Sequence, residues 1–235
     1  MSDLRFPFPA CLVAESGKIT PEDVTQIRGH MWPAGIRTRQ QATMAIALDL
    51  SCHSCCPEWT SYLVEEVSNF IVWHEPSDGA VSGEAAGWLL EQLSEHGTIY
   101  SQAGLDIVLR VLDLAGDVPS FLSATALNQV RLALLPEPRG AYAIRRCGDD
   151  TVTRSDLAFI WRVLRSSVER GCLNLSNSEK LILQNIDLHA APRDNQCGWR
   201  ELMALTQLAC QSGQARTTAW LDIKKSRSSS SPHAA

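Results

Sequence analysis

The sequence predicts an all-α fold made of two copies of one helical unit, with a helical middle segment between them. Three observations carry that prediction. Apolar residues recur at three-and-four spacing along most of the chain, which is the period of a helix with one buried face. Helix start signals stand just ahead of those stripes. Two distant stretches resemble each other at a nearly constant offset, the mark of a repeated unit. No stretch alternates long enough to be a strand of a core sheet.

Residues 1–16 read as an irregular lead-in broken by Pro7 and Pro9. Copy one covers 17–75. Thr20 followed by Pro21 is a cap with proline at the first helical position, and Thr38 to Gln41 fits a capping box. Trp59, Leu63, Val67, Phe70 and Ile71 then form one apolar face. The middle segment, 76–140, is expected to hold three helices. Ala85, Trp88, Leu89 and Leu93 mark one, and Leu105, Val108, Leu109 and Leu112 another. Two prolines and a glycine in Pro136-Glu-Pro-Arg-Gly140 make that stretch the expected hinge or boundary. Copy two covers 141–221, with the stripe Leu157, Ile160, Trp161, Leu164, Val168 and a second capping box from Ser176 to Glu179. Residues 222–235 have almost nothing apolar to bury and are expected to be a disordered tail.

The repeat has a register. Lys18-Ile-Thr-Pro-Glu-Asp-Val24 resembles Thr151-Val-Thr-Arg-Ser-Asp-Leu157 at an offset of 133 residues. The two capping boxes match at an offset of 138, which sets Leu48-Asp49-Leu50 on Ile186-Asp187-Leu188. Trp59 matches Trp199 at 140, each shortly after a cysteine, Cys56 and Cys197. The offset grows only in connections, where insertions are tolerated.

Composition narrows the function. The chain has 235 residues, 45% of them apolar, enough for a sizeable core. With a net charge of −5 and no basic stripe on any expected helix, a nucleic-acid partner is not expected, since that affinity needs clustered Lys and Arg. No stretch reaches the roughly 20 apolar residues that cross a bilayer, so no membrane is expected either. The N-terminus lacks the apolar core of a signal peptide. The eight cysteines therefore read as reduced thiols in a cytoplasmic protein.

Gly17-Lys-Ile-Thr20 and Gly79-Ala-Val-Ser82, with Asp150-Thr-Val-Thr153 lacking the glycine, have the outline of the second half of an EF-hand loop. A calcium loop needs oxygen ligands at its first, third and fifth positions and a bidentate Glu at the twelfth. Aligned on Gly17, those first sites are Leu12, Ala14 and Ser16. Aligned on Gly79 they are His74, Pro76 and Asp78, with Ala85 at the twelfth. Neither loop can cage a hard cation, so the units are EF-hand-like with no intact calcium loop.

The candidate metal site is Cys52-His53-Ser-Cys55-Cys56, four soft donors at close spacing. Against it, no second Cys-x-x-Cys supplies the distant ligand pair of a structural zinc site, and a loop of incidental thiols is the competing reading. A Cys–His nucleophile pair is open to the chain, yet no catalytic turn marks one. Adjacent acids at Glu65-Glu66 and Asp149-Asp150 do not share a helix face and read as solvated surface. No Gly-rich phosphate cradle occurs. No catalytic residue and no cofactor are expected. Of the seven tryptophans, Trp59, Trp88, Trp161 and Trp199 fall on apolar stripes and are expected in the core. Trp32, Trp73 and Trp220 lie near helix ends, where one could anchor a partner.

Pro57-Glu-Trp-Thr-Ser-Tyr-Leu-Val-Glu-Glu-Val-Ser-Asn-Phe-Ile-Val72, with Ala80-Val-Ser-Gly-Glu-Ala-Ala-Gly-Trp-Leu-Leu90 and Leu109-Arg-Val-Leu-Asp-Leu-Ala115, resembles a family of uncharacterised proteobacterial proteins. The resemblance spans about 17–215. It implies duplicated, degenerate EF-hand-like helical units, distantly similar to the tellurite-resistance B-type (TerB-like) helical proteins. It implies no activity and transfers no functional residue. The chain departs from the family's acidic Asp-Gly turn, having Pro33-Ala-Gly-Ile36 there, and from its Glu-Ala pair, having Gln41-Ala42 and Glu179-Lys180. The expected function is a non-catalytic protein-interaction or regulatory module, with another protein as partner. A metal-binding helical protein is the first alternative, and an enzyme with a pocket between the repeats the second. The sequence does not fix an oligomeric state.

Overall fold

The computed structural model describes residues 8–75, 79–146, 150–169, 172–190 and 195–211. These residues are mainly helical. The expected tail at 222–235, and Trp220 with it, lies outside them.

Residues 1–7 of the expected irregular lead-in lie outside the described residues, and the rest of it is helical. α1 runs Phe8–Ser16. Pro9 sits in its first turn, where a missing N–H has no intrahelical partner to lose. Gly17, at φ +65°, reverses the chain into the two-residue strand β1 (Lys18–Ile19). α2 (Pro21–Gln26) follows, its capping box closed by Thr20 and Asp23, and continues as one π-helical turn, Ile27–Met31. α3 (Arg39–Ser51) is capped by Thr38. Its Gln41 does not complete the expected box, because Oε1 accepts instead from the Arg37 amide. β2 (Ser54–Cys55) pairs in parallel with β1. α4 (Pro57–Asn69) also ends in a π-helical turn, Phe70–His74.

The middle segment holds the three expected helices: α5 (Gly83–Leu93), α6 (Gln102–Leu114) and α7 (Ser120–Ala133). The hairpin β3 (Ser94–Glu95) with β4 (Thr98–Ile99) joins the first two. Then come the short α8 (Ala141–Arg145) and α9 (Arg154–Leu164), opened by the Thr153–Asp156 capping box. α9 stops before Val168, which the sequence stripe had placed on it. Val168 is exposed in β5 (Val168–Glu169), paired with β6 (Cys172–Leu173). α10 (Asn177–His189) and α11 (Cys197–Gln211) complete the order.

One backbone stitch occurs three times. The turn before a first helix bonds the connection before the third. His53 N donates to Gly17 O and Cys56 N to Ile19 O, both at 3.0 Å. Gly116 N donates to Gly79 O at 2.8 Å and Val81 N to Asp117 O at 2.9 Å. Gln196 N donates to Val152 O at 2.9 Å. These bonds tie the turn before α2, α5 and α9 to the connection before α4, α7 and α11, and mark off the sets α2–α4, α5–α7 and α9–α11. The sequence comparison pairs only the outer two. Leu112 and Leu122, both buried, stand where the outer sets have Asp49 with Trp59 and Asp187 with Trp199.

α4 packs most extensively on α6, and α7 on α10. Each third helix therefore lies on the second helix of the following set. One apolar core results, continuous from Ala10 to Met203. Within it Trp59 and Trp199 are fully buried and Trp32 is buried as well, so Trp32 is core and not an anchor. Trp88 is half-buried. Trp161, expected in the core, is 40% exposed.

The expected hinge at Pro136–Gly140 is a clasp. Arg139 N donates back to Leu132 O. Gly140 has φ +85°, and a Cβ there would meet Ile99 O at 3.0 Å and Gln129 Oε1 at 3.2 Å. The fully buried Gln129 amide accepts from Ile99 N and donates to Gly97 O. Only glycine fits both the conformation and the approach. Beyond the clasp, Asp156 is fully buried and Arg146 has a 5%-exposed side chain, paired at 3.1 Å. Tyr142 Oη and the Thr153 amide also donate to Asp156, each at 2.8 Å. Breaking such a pair by removing one partner costs about 3–5 kcal/mol.

Candidate functional site

The Cys52–Cys56 loop follows α3. Cys52 is the C-cap of α3 and its Sγ lies 3.9 Å from Val13 O. Cys55 faces Asp49 and Cys56 caps α4. The His53 ring packs on Gly17, where an added Cβ would sit 2.6 Å from it. Among the described residues, no group of three or more His, Cys, Asp and Glu side chains is placed to hold a metal ion. Cys52, His53, Cys55 and Cys56 therefore form no such ligand set. The thiols are also held in the protonated form. Burial, then the Asp49 charge, pushes Cys55 up to about 12. Burial, then Asp49 and Asp23, raises Cys52, and burial raises Cys56. Nucleophilic attack needs the thiolate. Cys52, Cys55, Cys56 and Cys197 are free thiols.

The same loop holds a structural lock. Asp49 Oδ1 accepts from Trp59 Nε1 at 3.0 Å, and Oδ2 from Ser101 Oγ at 3.2 Å. Burial raises the Asp49 pKa against the pull of those donors. In the last set, Trp199 Nε1 donates to Asp187 Oδ1 at 2.8 Å. The two locks sit at the sequence offsets of 138 and 140.

Two cavities flank the α7–α10 pair. At the C-terminal ends of both helices, a groove of about 660 Å³ is lined by Leu134, Leu135, Pro136, Pro138, Arg146 and Leu188, among others. Leu188 is 81% exposed and Ile144, beside the lining residue Ala143, is 76% exposed. The groove also carries Asp150 and His189, but no Ser, Thr, Cys or Lys among its described residues. At the N-terminal ends, a polar cavity of about 240 Å³ is walled by serines and Glu179. The sequence shows the Ser176–Glu179 capping box but neither cavity, because both arise where helices far apart in sequence meet. A cue exists for the groove: Leu188 is apolar on a helix that already has its buried face in Glu179, Leu183 and Ile186.

Among the described residues, no helix is long and apolar enough to cross a membrane. Comparison with known protein families, with curated proteins and with solved structures finds no match to this chain.

Proposed function

We propose that this chain is a non-catalytic cytoplasmic protein-interaction or regulatory module built from stacked EF-hand-like units of one kind, three in number. The recurring stitch and the paired Trp–Asp contacts support the repeat, and the first and third units carry the sequence likeness. The observation that carries the function is the groove between α7 and α10, with Leu188 and Ile144 exposed beside it. Large exposed apolar side chains gathered at a concave site mark an interaction surface more than isolated ones do. The partner is a protein that presents an apolar segment. The enzyme reading would use this groove too, but Arg146 is committed to Asp156 and the described lining offers no Ser, Thr, Cys or Lys to act as nucleophile.

Site-specific photocrosslinking in cells tests the reading. A photoreactive side chain at Ile144 or Leu188 is expected to give a discrete adduct with a second protein. The same group at the exposed Leu50 or Leu181, both 60% exposed, is expected to give none. Adducts from all four positions alike, or from the controls only, would remove the groove as the interaction surface.

A further inference from the structure

The polar cavity at the other end of α7 and α10 offers a different chemistry. It is lined by Asp117, Ser123, Ser167, Asn174, Ser176 and Glu179, among others, with no Lys, Arg or His among its described lining residues. Glu179 is buried, 2% exposed, and Ser123 is 1% exposed. Ser123 Oγ donates to Glu179 Oε1 at 2.7 Å and Ser167 Oγ to the same oxygen at 2.9 Å. The Ser176 amide donates to Oε2 at 2.7 Å. Ser123 also approaches the Ser120 carbonyl, at 3.0 Å. Its one proton goes to the carboxylate, which is nearer and charged.

This arrangement decides what the cavity can hold. Two helices begin here, and helix N-termini alone would favour an anion. Glu179 already fills that role as a resident anion. Because the hydroxyl proton of the half-buried Ser167 is spent on it, that oxygen presents lone pairs to a ligand, while Ser123 backs the carboxylate from inside. Asn174 and the exposed Asp117 carboxylate add acceptors at the mouth. A phosphate would meet acceptors and two like charges. A hard cation would need about six to eight oxygens, and no group of three acidic, His or Cys ligands is arranged here. A primary ammonium donates three hydrogen bonds and carries the opposite charge. The volume equals about eight waters at ~30 Å³ each, room for an ammonium head on a short alkyl stem.

We infer that the cavity between the N-terminal ends of α7 and α10 binds a primary ammonium group, Ser167 and Asn174 accepting from it beside Glu179, with Asp117 closing the mouth. The ammonium is carried either by a small free amine or by a lysine side chain. The inference goes beyond the interaction groove and does not rest on it.

The test is amide-resolved NMR titration of the full chain at constant ionic strength. The probes are n-butylammonium chloride, Nα-acetyl-lysine N-methylamide, n-butanol and sodium phosphate. Both ammonium probes are expected to shift Ser123, Ser167, Asn174 and Ser176 saturably, and butanol and phosphate are not. Tighter binding of the lysine derivative assigns the site to a lysine side chain, and tighter butylammonium to a free amine. Asp117→Asn, an exposed change, should weaken binding about fivefold or more, and Ser167→Ala about threefold, with the fold unchanged by circular dichroism. Butanol shifts equal to those of butylammonium, saturable phosphate binding, no shift from either ammonium, or wild-type affinity in Asp117→Asn would each overturn the proposal.

Discussion

The first and last Trp–Asp locks are built from the same residues at the same register, yet they sit in different surroundings. Asp49 is half-buried, because α6 of the following set brings Ser101 against it. Asp187 is exposed. In the middle set the lock is gone, and buried Leu112 and Leu122 hold its places. The helix connection therefore requires a filled volume. The hydrogen bond is an addition whose worth depends on how much water reaches the carboxylate.

Removing the volume should have the largest effect and should not distinguish the locks. Trp59→Ala and Trp199→Ala each delete a fully buried indole and should cost about 3–5 kcal/mol in urea unfolding. A much smaller loss at Trp199 would show that its connection can collapse, and the two sites would then differ in packing as well as in water.

Removing the N–H together with the same part of each ring should separate them, because the lost volume adds a similar cost at both sites beyond the hydrogen-bond loss. Trp59→Phe leaves a half-buried carboxylate short of a donor, at about 1–3 kcal/mol. Trp199→Phe leaves an exposed one that water can serve, at about 0.5–1.5 kcal/mol. Equal losses would break the comparison.

A pH series sharpens it further. Burial raises the Asp49 pKa, so the folded state keeps that proton to higher pH than the unfolded chain does. Stability from this group is therefore greatest at low pH. It falls as pH rises from the ordinary carboxylate value, about 3.9, through the raised folded value, and is flat above that. The stability difference between wild type and Asp49→Asn, measured by urea unfolding at each pH, should decline across that window. A flat or rising difference would contradict the burial of this carboxylate.

The smallest effect is expected one turn along. The Tyr62 hydroxyl is buried with no hydrogen-bond partner among the described residues, its ring 6.1 Å from that of Trp59. The corresponding place in the last set is the fully buried Leu202. Tyr62→Phe should be neutral or stabilising by up to about 1 kcal/mol. A loss of more than that would reveal a partner for the hydroxyl.

Much of this architecture was legible in the sequence, for local reasons. Helical period, caps and the Gly17 and Gly79 turns are short-range signals, and each marks an observed feature. The likeness between α2–α4 and α9–α11 rests on Trp59 with Trp199 and Asp49 with Asp187, residues that stand out beside their apolar neighbours. In α5–α7 leucines stand at the corresponding places, Leu112 and Leu122, and leucine gives no such signal. α1 was missed because prolines near a helix start look like breakers until the start is known. Val168 and Trp161 continued an apolar stripe that the chain does not bury. The Arg146–Asp156 pair and both α7–α10 cavities depend on which helices meet, which spacing along one helix does not encode.

The clasp at Gly140 has a hydrodynamic consequence. A linker with two prolines and a glycine suggests two bodies that reorient independently, but this one is anchored to Leu132 and closely packed against Ile99 and Gln129. The segments on either side should tumble as one particle, and backbone relaxation should fit a single rotational correlation time from α2 through α10.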